Sequence, residues 1–512
     1  MQVPLGIGDF LDRAALVYGE REAVVDEPGV PGSWGRTTYA ELQRRAWGMA
    51  RALGALGVGA GERVAIVSPN ASRFLASYWG VSAYGRVLVP VNYRLHAEEV
   101  KYIIGHSGAT VVLIDPEFDA AMAAVDAKHR IVLDGVQDAE LFAPADAPPE
   151  GGPWPASEDD TASINYTSGT TARPKGVQLT HRNCWINAAT FGWHMQVSDR
   201  DVLMHTLPMF HCNGWGMPYA ATGMGAKHIV VRKIDGAEIL RRVDAEGVTL
   251  MCGAPAVVAA ILDAARTWDG PIPGRDRVRI VVAGAPPPSK TIERVETELG
   301  WQFNQIYGLT ETAPLLTINR SRAEWDDLDA VDRSRLLSRA GTPAVGVRIE
   351  VDGEGEVCAR ANEVFAGYWE QPAETSKAIV DGWFHTGDGG FLDGAYLTIS
   401  DRKKDVIITG GENVSSIEVE DALFQHPAVA EVAVIGVPDE KWGEMVTALV
   451  VLREGEAVTE ADMISFARER LAGYKCPKSV EFRSELARTA TGKLQKFKLR
   501  QPYWEGQEKQ VN

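Results

Sequence analysis

The stretch from Tyr166 to Gly176 concentrates groups suited to holding a phosphate. Hydroxyls at Thr167, Ser168, Thr170 and Thr171 can donate to phosphate oxygens, Gly169 lets backbone N–H groups come close, and Lys175 brings a positive charge. The GxxxxGK[ST] spacing of a P-loop is missing, so any phosphate loop here is of another kind. A second concentration of charge, Asp401, Arg402, Lys403, Lys404 and Asp405, sits between two β-like runs and reads from composition equally well as a solvated turn.

Positioning such groups requires a frame. Leu42, Ala46, Met49, Leu53 and Leu56 recur at helical spacing, which predicts a helix over 41–56 closed by Gly57. Short apolar runs at 63–68, 87–91, 110–114 and 131–133, and again at 229–231, 249–252 and 280–283, predict strands buried on both faces and hence layered α/β structure. The phosphate-loop candidate follows a short apolar run and precedes an expected helix from His181. Beyond the charge cluster the texture changes to a small α+β unit. It has expected strands near 431–437 and 446–452, and a helix opened by Thr459 with Asp462 three positions on. These patterns place a domain boundary at about Asp401, giving units 1–400 and 401–512.

A chain of 512 residues exceeds what one hydrophobic core usually organises. The balance of 52 basic and 69 acidic side chains gives a net charge of −17, which argues against nonspecific binding to nucleic acid or to an anionic membrane. No signal peptide and no long apolar span is expected. The five cysteines, at 184, 212, 252, 358 and 476, show no metal-ligand spacing, so a reduced cytoplasmic protein without disulfides or structural zinc is expected.

Five further segments recur in order with the loop: Gly284 to Pro287, Gln305 to Thr312, His385 to Asp388, Asp401 to Asp405 with Gly410 to Asn413, and Thr489 to Lys493. Together they resemble the adenylate-forming enzymes along nearly the whole chain. That family includes acyl-CoA synthetases, aryl-CoA ligases, firefly-type luciferases and the adenylation domains of peptide synthetases. The resemblance implies a large N-terminal adenylate-forming domain of layered α/β subdomains and a small mobile α+β C-terminal domain hinged near Asp401. It implies an acid–thiol ligase that uses ATP, Mg2+ and coenzyme A. By resemblance, Glu311 and Thr167 hold the magnesium ion and Thr310 meets the α-phosphate. Gly284, Ala285 and Pro286 with Gln305, Ile306, Tyr307 and Gly308 flank adenine, and Tyr307 stacks on it. Asp388 accepts from both ribose hydroxyls, and Arg402 reaches ribose or phosphate. Lys493 enters from the C-terminal domain to bridge carboxylate and α-phosphate, and Gly410 and Gly411 line the pantetheine tunnel. Lys475 and Lys478 could meet coenzyme A phosphates or simply be solvated. The sequence departs from the family at Ala172, near Ala487 and Arg488, and at Ile408, where glycine, proline and lysine respectively are common. These departures weaken the coenzyme A assignment more than the adenylation assignment.

The acyl pocket of such enzymes draws on 208–217, 251–255 and 282–285. No charged side chain lies between Thr206 and Gly225, and the first cation beyond is Lys227, which disfavours an α-amino acid or a dicarboxylate. Gly214, Gly216, Gly223 and Gly225 leave space, and Phe210, Trp215 and Met217 supply apolar walls, so a medium- or long-chain fatty acid or a bulky aryl or alicyclic acid fits. His211 either gates the carboxylate or is a core histidine. The acceptor is expected to be coenzyme A, with a carrier protein or an amine as the alternative. A homodimer is possible, and a non-catalytic nucleotide-binding role is disfavoured by Lys493, Glu311 and Asp388 together.

Overall fold

A computed structural model describes residues 3–150, 157–167, 174–284, 287–402, 405–409, 412–439, 442–488 and 494–505, with only the backbone at Asp401 and Arg402. Ser168, Gly169, Thr170, Thr171, Ala285, Pro286, Gly410, Gly411 and Lys493 therefore lie outside the described residues, as does the side chain of Arg402.

The expected apolar runs become parallel strands. Arg63–Val67 pairs with Val87–Val91 on one side and Ala109–Ile114 on the other, and His129–Val132 follows. All five residues of Val87–Val91 are buried, as a strand covered by helices on both faces must be. The sheet has seven strands and is completed by Thr161–Thr167, Lys175–Thr180 and Gly367–Tyr368. A nine-stranded sheet carries Leu250–Gly253, Arg279–Val282 and Gln302–Tyr307 in parallel register, with Thr317–Arg320 antiparallel at one side. Helix Ser72–Ser82, in which every residue is buried, lies within one apolar cluster that also takes Val64, Ile66 and Leu88 from the first sheet and Cys252, Val281 and Ile306 from the second. Because the helix is wetted on neither side, its polar side chains are answered internally: Arg73 pairs with Asp138 and Ser72 donates to Asp26.

Local chemistry sets the ends. The helix predicted over 41–56 spans Tyr39–Ala55, because Thr38 and Glu41 form a reciprocal capping box. The phosphate-loop candidate does not run straight into a helix. Strand Lys175–Thr180 intervenes, with Val177 and Leu179 buried and Gln178 between them half-buried, and only then does Thr180 cap helix His181–His194.

A five-stranded antiparallel sheet follows, in which Trp383–Asp393 pairs with Glu356–Arg360 and with Tyr396–Arg402. The last sheet pairs Val429–Asp439 with Gly443–Leu452 and adds Ile407–Thr409, Glu412–Val414 and Ser479–Phe482. Its main apolar cluster draws only on residues from Ile407 onward. Helix Glu460–Arg468 opens on the expected capping box of Thr459 and Asp462. All five cysteines are buried and form no disulfide. Among the described residues, no helix is long and apolar enough to cross a membrane.

Candidate active site

The parallel strands of the nine-stranded sheet end level with one another: Gly253 pairs with Val282, and Val282 with Gln305. Crevices beyond such carboxyl ends are where open α/β sheets take ligands. Two residues past Val282 stands Gly284, with φ +93° and no atom within 4 Å of where a Cβ would be. Gln305 is buried, and its Oε1 has no hydrogen-bond partner among the described residues. An unanswered buried acceptor at the mouth of a sheet fits a donor brought by a ligand. Ile306 points the other way, into the core, so only its backbone can serve the crevice.

Tyr307 closes this strand, and its hydroxyl donates to Asp388 Oδ2 at 2.9 Å. Asp388 comes from the antiparallel sheet, where its own N–H donates to Thr386 Oγ1 at 3.1 Å. Two predicted residues from different sheets thus meet directly. Gly308 follows, and only glycine fits, because a Cβ would fall 1.5 Å from the Pro314 carbonyl oxygen.

The chain then makes the short turn Thr310–Thr312. Glu311 Oε1 accepts from the Tyr368 hydroxyl at 2.9 Å, and its backbone carbonyl accepts from Phe365 N at 2.8 Å. Tyr368 lies on the strand paired with Lys175–Thr180, and the Lys175 ammonium stands 4.9 Å from the centre of its ring. Lys175 also pairs with Glu374 at 2.5 Å, which with Lys377 holds that carboxyl down at about 2. In the hairpin, Thr167 pairs with Lys175. The loop predicted for phosphate therefore springs from a hairpin whose base is tied through Lys175 and Tyr368 to Glu311. Tyr368 was not singled out from sequence. Burial, and then Glu311, push its phenol pKa up, so it stays a donor to that carboxylate.

His211 opens a turn whose next residues, Cys212 through Gly216, all have positive φ. Left-handed backbone costs roughly 1–2 kcal/mol per non-glycine residue, so the surroundings must hold it. Asn187 does so: its Nδ2 donates to Trp215 O at 3.1 Å, and its Oδ1 accepts from Leu315 N at 3.1 Å. Asn213 Nδ2 donates to Ser163 Oγ at 2.9 Å, and Cys212 Sγ lies 3.8 Å from Thr310 O. The His211 turn and the Glu311 turn are thereby clamped together.

This geometry corrects the reading of the four glycines as open space. A Cβ on Gly214 would meet Pro218 Cγ at 3.0 Å, on Gly216 Asn187 Nδ2 at 2.1 Å, on Gly223 Phe10 Cδ1 at 2.7 Å, and on Gly225 Tyr18 Cδ2 at 2.3 Å. Gly214 and Gly216 serve the left-handed turn, and all four permit close packing. Phe210, Trp215 and Met217 belong to the same buried cluster. Lys227 is paired with Glu246 at 2.9 Å and is no acyl-site cation. In the C-terminal unit, Lys475 is held at 2.7 Å by both oxygens of Glu418, and Lys478 lies 3.5 Å from the centre of the Trp442 ring.

Residues 11–369 match the model of the AMP-binding enzyme family, and residues 418–493 match that of the AMP-binding enzyme C-terminal domain. The chain is 37% identical to a 4-hydroxybutyrate–CoA ligase of Metallosphaera sedula, over 96% of this chain and 93% of that protein. It is 38% identical to a 2-methylpropanoate–CoA ligase of Humulus lupulus, over 97% and 94% respectively. Among solved structures, an anthranilate CoA ligase in complex with anthranoyl-AMP superposes with a TM-score of 0.87 at 25% identity, covering 98% of both chains. The chain belongs to the AMP-binding enzyme family, as an acyl-CoA ligase of the AMP-forming kind.

Proposed function

We propose that the enzyme adenylates a compact, uncharged monocarboxylic acid and transfers the acyl group to coenzyme A. The observation that carries the size assignment is the packed Cys212–Gly216 turn, where the space beside Gly214 and Gly216 is taken by Pro218 and Asn187. The two relatives named for 4-hydroxybutyrate and 2-methylpropanoate point the same way.

In this reading Asp388, steadied by Tyr307, takes the ribose, and the Gly284 and Gln305 crevice takes the adenine. Glu311 and Thr167 supply hard oxygen donors of the kind magnesium requires, and a magnesium ion there would offset the charge of the phosphates. Tyr368 holds Glu311 in place and the loop 168–173 encloses the phosphates. Lys493 supplies a cation as the carboxylate attacks the α-phosphorus and pyrophosphate leaves. The C-terminal unit then turns about Asp401, so that the coenzyme A thiol attacks the acyl carbon and AMP leaves.

The test is coenzyme A-dependent AMP formation with acids from acetate to palmitate, together with 2-methylpropanoate, 4-hydroxybutyrate and benzoate. Misfit of a single methylene in an apolar pocket shifts discrimination by about 1–3 kcal/mol, so kcat/KM should peak among the four-carbon acids and fall steeply toward palmitate. A maximum at palmitate overturns the size assignment. AMP release that ignores coenzyme A overturns the acceptor.

A further inference from the structure

Away from the nucleotide crevice, three metal-ligating side chains of different chemistry converge. Cys358 and His385 are direct cross-strand partners in the antiparallel sheet, and Asp352 sits at the turn that joins Arg348–Val351 to Glu356–Arg360. One donor atom from each lies within 4.8 Å of the other two. Cys358 is 1% exposed, and the other two are half-buried.

The sulfur–nitrogen separation within the triad is compatible with a metal. Tetrahedral zinc with Zn–S of ~2.3 Å and Zn–N of ~2.05 Å sets sulfur and nitrogen about 3.5 Å apart. Cys358 Sγ and His385 Nδ1 are 3.5 Å apart. Glu356 Oε2 lies 3.4 Å from the same nitrogen and orients the imidazole. The supporting contacts are also in place. Asp352 Oδ1 accepts from the N–H groups of Glu354 and Glu356 at 2.8 Å each, and Glu356 Oε1 accepts from Gly387 N at 2.8 Å. Such outer hydrogen bonds fix the direction in which ligands point.

We propose that Asp352, Cys358 and His385 form a zinc site, with a water molecule as the fourth ligand. On binding, the S–H bond of Cys358 breaks, its proton passes to solvent, and a Zn–S bond forms while neutral His385 offers Nδ1. The three residues lie within 34 positions but not at a familiar zinc spacing, and a zinc ion here would run against the expectation of a protein without structural zinc. Asp388 follows on the same strand as His385, so the bound ion would fix the strand that presents the ribose-binding acid.

The experiment uses the untagged full-length enzyme, treated with chelator, dialysed, and titrated with Co2+ alone. An intense near-ultraviolet thiolate-to-cobalt band should saturate at one equivalent and vanish when Zn2+ is added. An oxygen-lined magnesium site gives no such band, which separates the two. Cys358→Ser should abolish it, and Cys252→Ser should leave it intact. A change at a buried cysteine can also disturb folding, so His385→Gln provides the second variant. Losing even an outer-shell partner costs 10–100-fold in metal affinity, so losing this ligand should weaken Co2+ binding by about 100-fold or more while thermal unfolding stays cooperative. Absence of the band in the wild type, or its survival in Cys358→Ser, overturns the proposal.

Discussion

Glu363 is fully buried, and neither carboxyl oxygen has a hydrogen-bond partner among the described residues. Burial lifts its pKa from 4.5 to about 7, against the lowering effect of its own backbone N–H. A raised carboxyl pKa means that the folded state holds the proton more tightly than the unfolded chain does. Stability from this group is therefore complete below pH 4.5 and is lost as pH rises through about 7. At about 1.4 kcal/mol per pH unit, the loss is on the order of 3 kcal/mol. Glu363→Gln should match the wild type in melting temperature at pH 4.5 and exceed it by several degrees at pH 8. A difference that does not change with pH would show that the carboxyl has another partner. At this scale, sequence was informative where partners are local or the residue order is distinctive. Asp388 and Tyr307 were both singled out, and the structure joins them. Tyr368 was missed because what marks it, its contact with Glu311, is a long-range product of the fold. The order of the chain around Gly367 and Trp369 gives no hint of it beyond an aromatic pair beside a glycine.

Among the elements, strands were easier to find than turns. The buried parallel strands announce themselves as continuous apolar runs, whereas the left-handed turn Cys212–Gly216 includes Cys212 and Trp215, residue types that seldom adopt positive φ, on either side of Asn213, which adopts it more readily, and Gly214. No local preference predicts it, because Asn187 and the packing around it impose it from outside. The error over the four glycines has the same origin: a glycine in sequence reads as space, and only the fold shows that space filled. Gly216→Ala tests the clamp. The added methyl would overlap Asn187 Nδ2 and sit on backbone at φ +75°. Displacement of a catalytic element by about 1 Å can cost on the order of 10²-fold, so kcat/KM should fall by at least about tenfold. Asn187→Ala, which removes the same clamp, should show the same loss. Gly223→Ala, which meets Phe10 instead, should lower the melting temperature with kcat per folded molecule preserved. If Gly223→Ala impairs turnover as severely as Gly216→Ala, the clamp is not specific to the site.

For the whole molecule, the question is how one chain serves two half-reactions. The sequence suggested a boundary at Asp401 from a change of texture, and the main apolar cluster of the last sheet begins only at Ile407. The strand that leads to Asp401 is irregular. Asp401 pairs with Gly389 but Ile399 with Gly390, so the ladder slips at Ser400, and among the described residues this strand pairs only with Trp383–Asp393 apart from one bridge between Gly341 and Leu397. Proline is tolerated at such bulges on an edge and fixes φ near −65°. In the described arrangement, Ser289 N and Oγ lie 2.9 and 3.3 Å from Asp421 Oδ1, a contact between the two units that no sequence pattern forecasts. Rotation about Asp401 would have to break it. Asp401→Pro should therefore hold the enzyme in one arrangement. Adenylation, followed by pyrophosphate exchange, and thioester formation from pre-made acyl-adenylate should separate, one retained near its wild-type rate and the other reduced by about 10²-fold, the scale of a lost catalytic constellation. Asp421→Ala relaxes the contact without touching the pivot and should leave both half-reactions running. Normal turnover of Asp401→Pro in the complete reaction would move the pivot elsewhere in the chain. Equal loss of both half-reactions would mean that the proline disrupts the sheet carrying Asp388 rather than the motion.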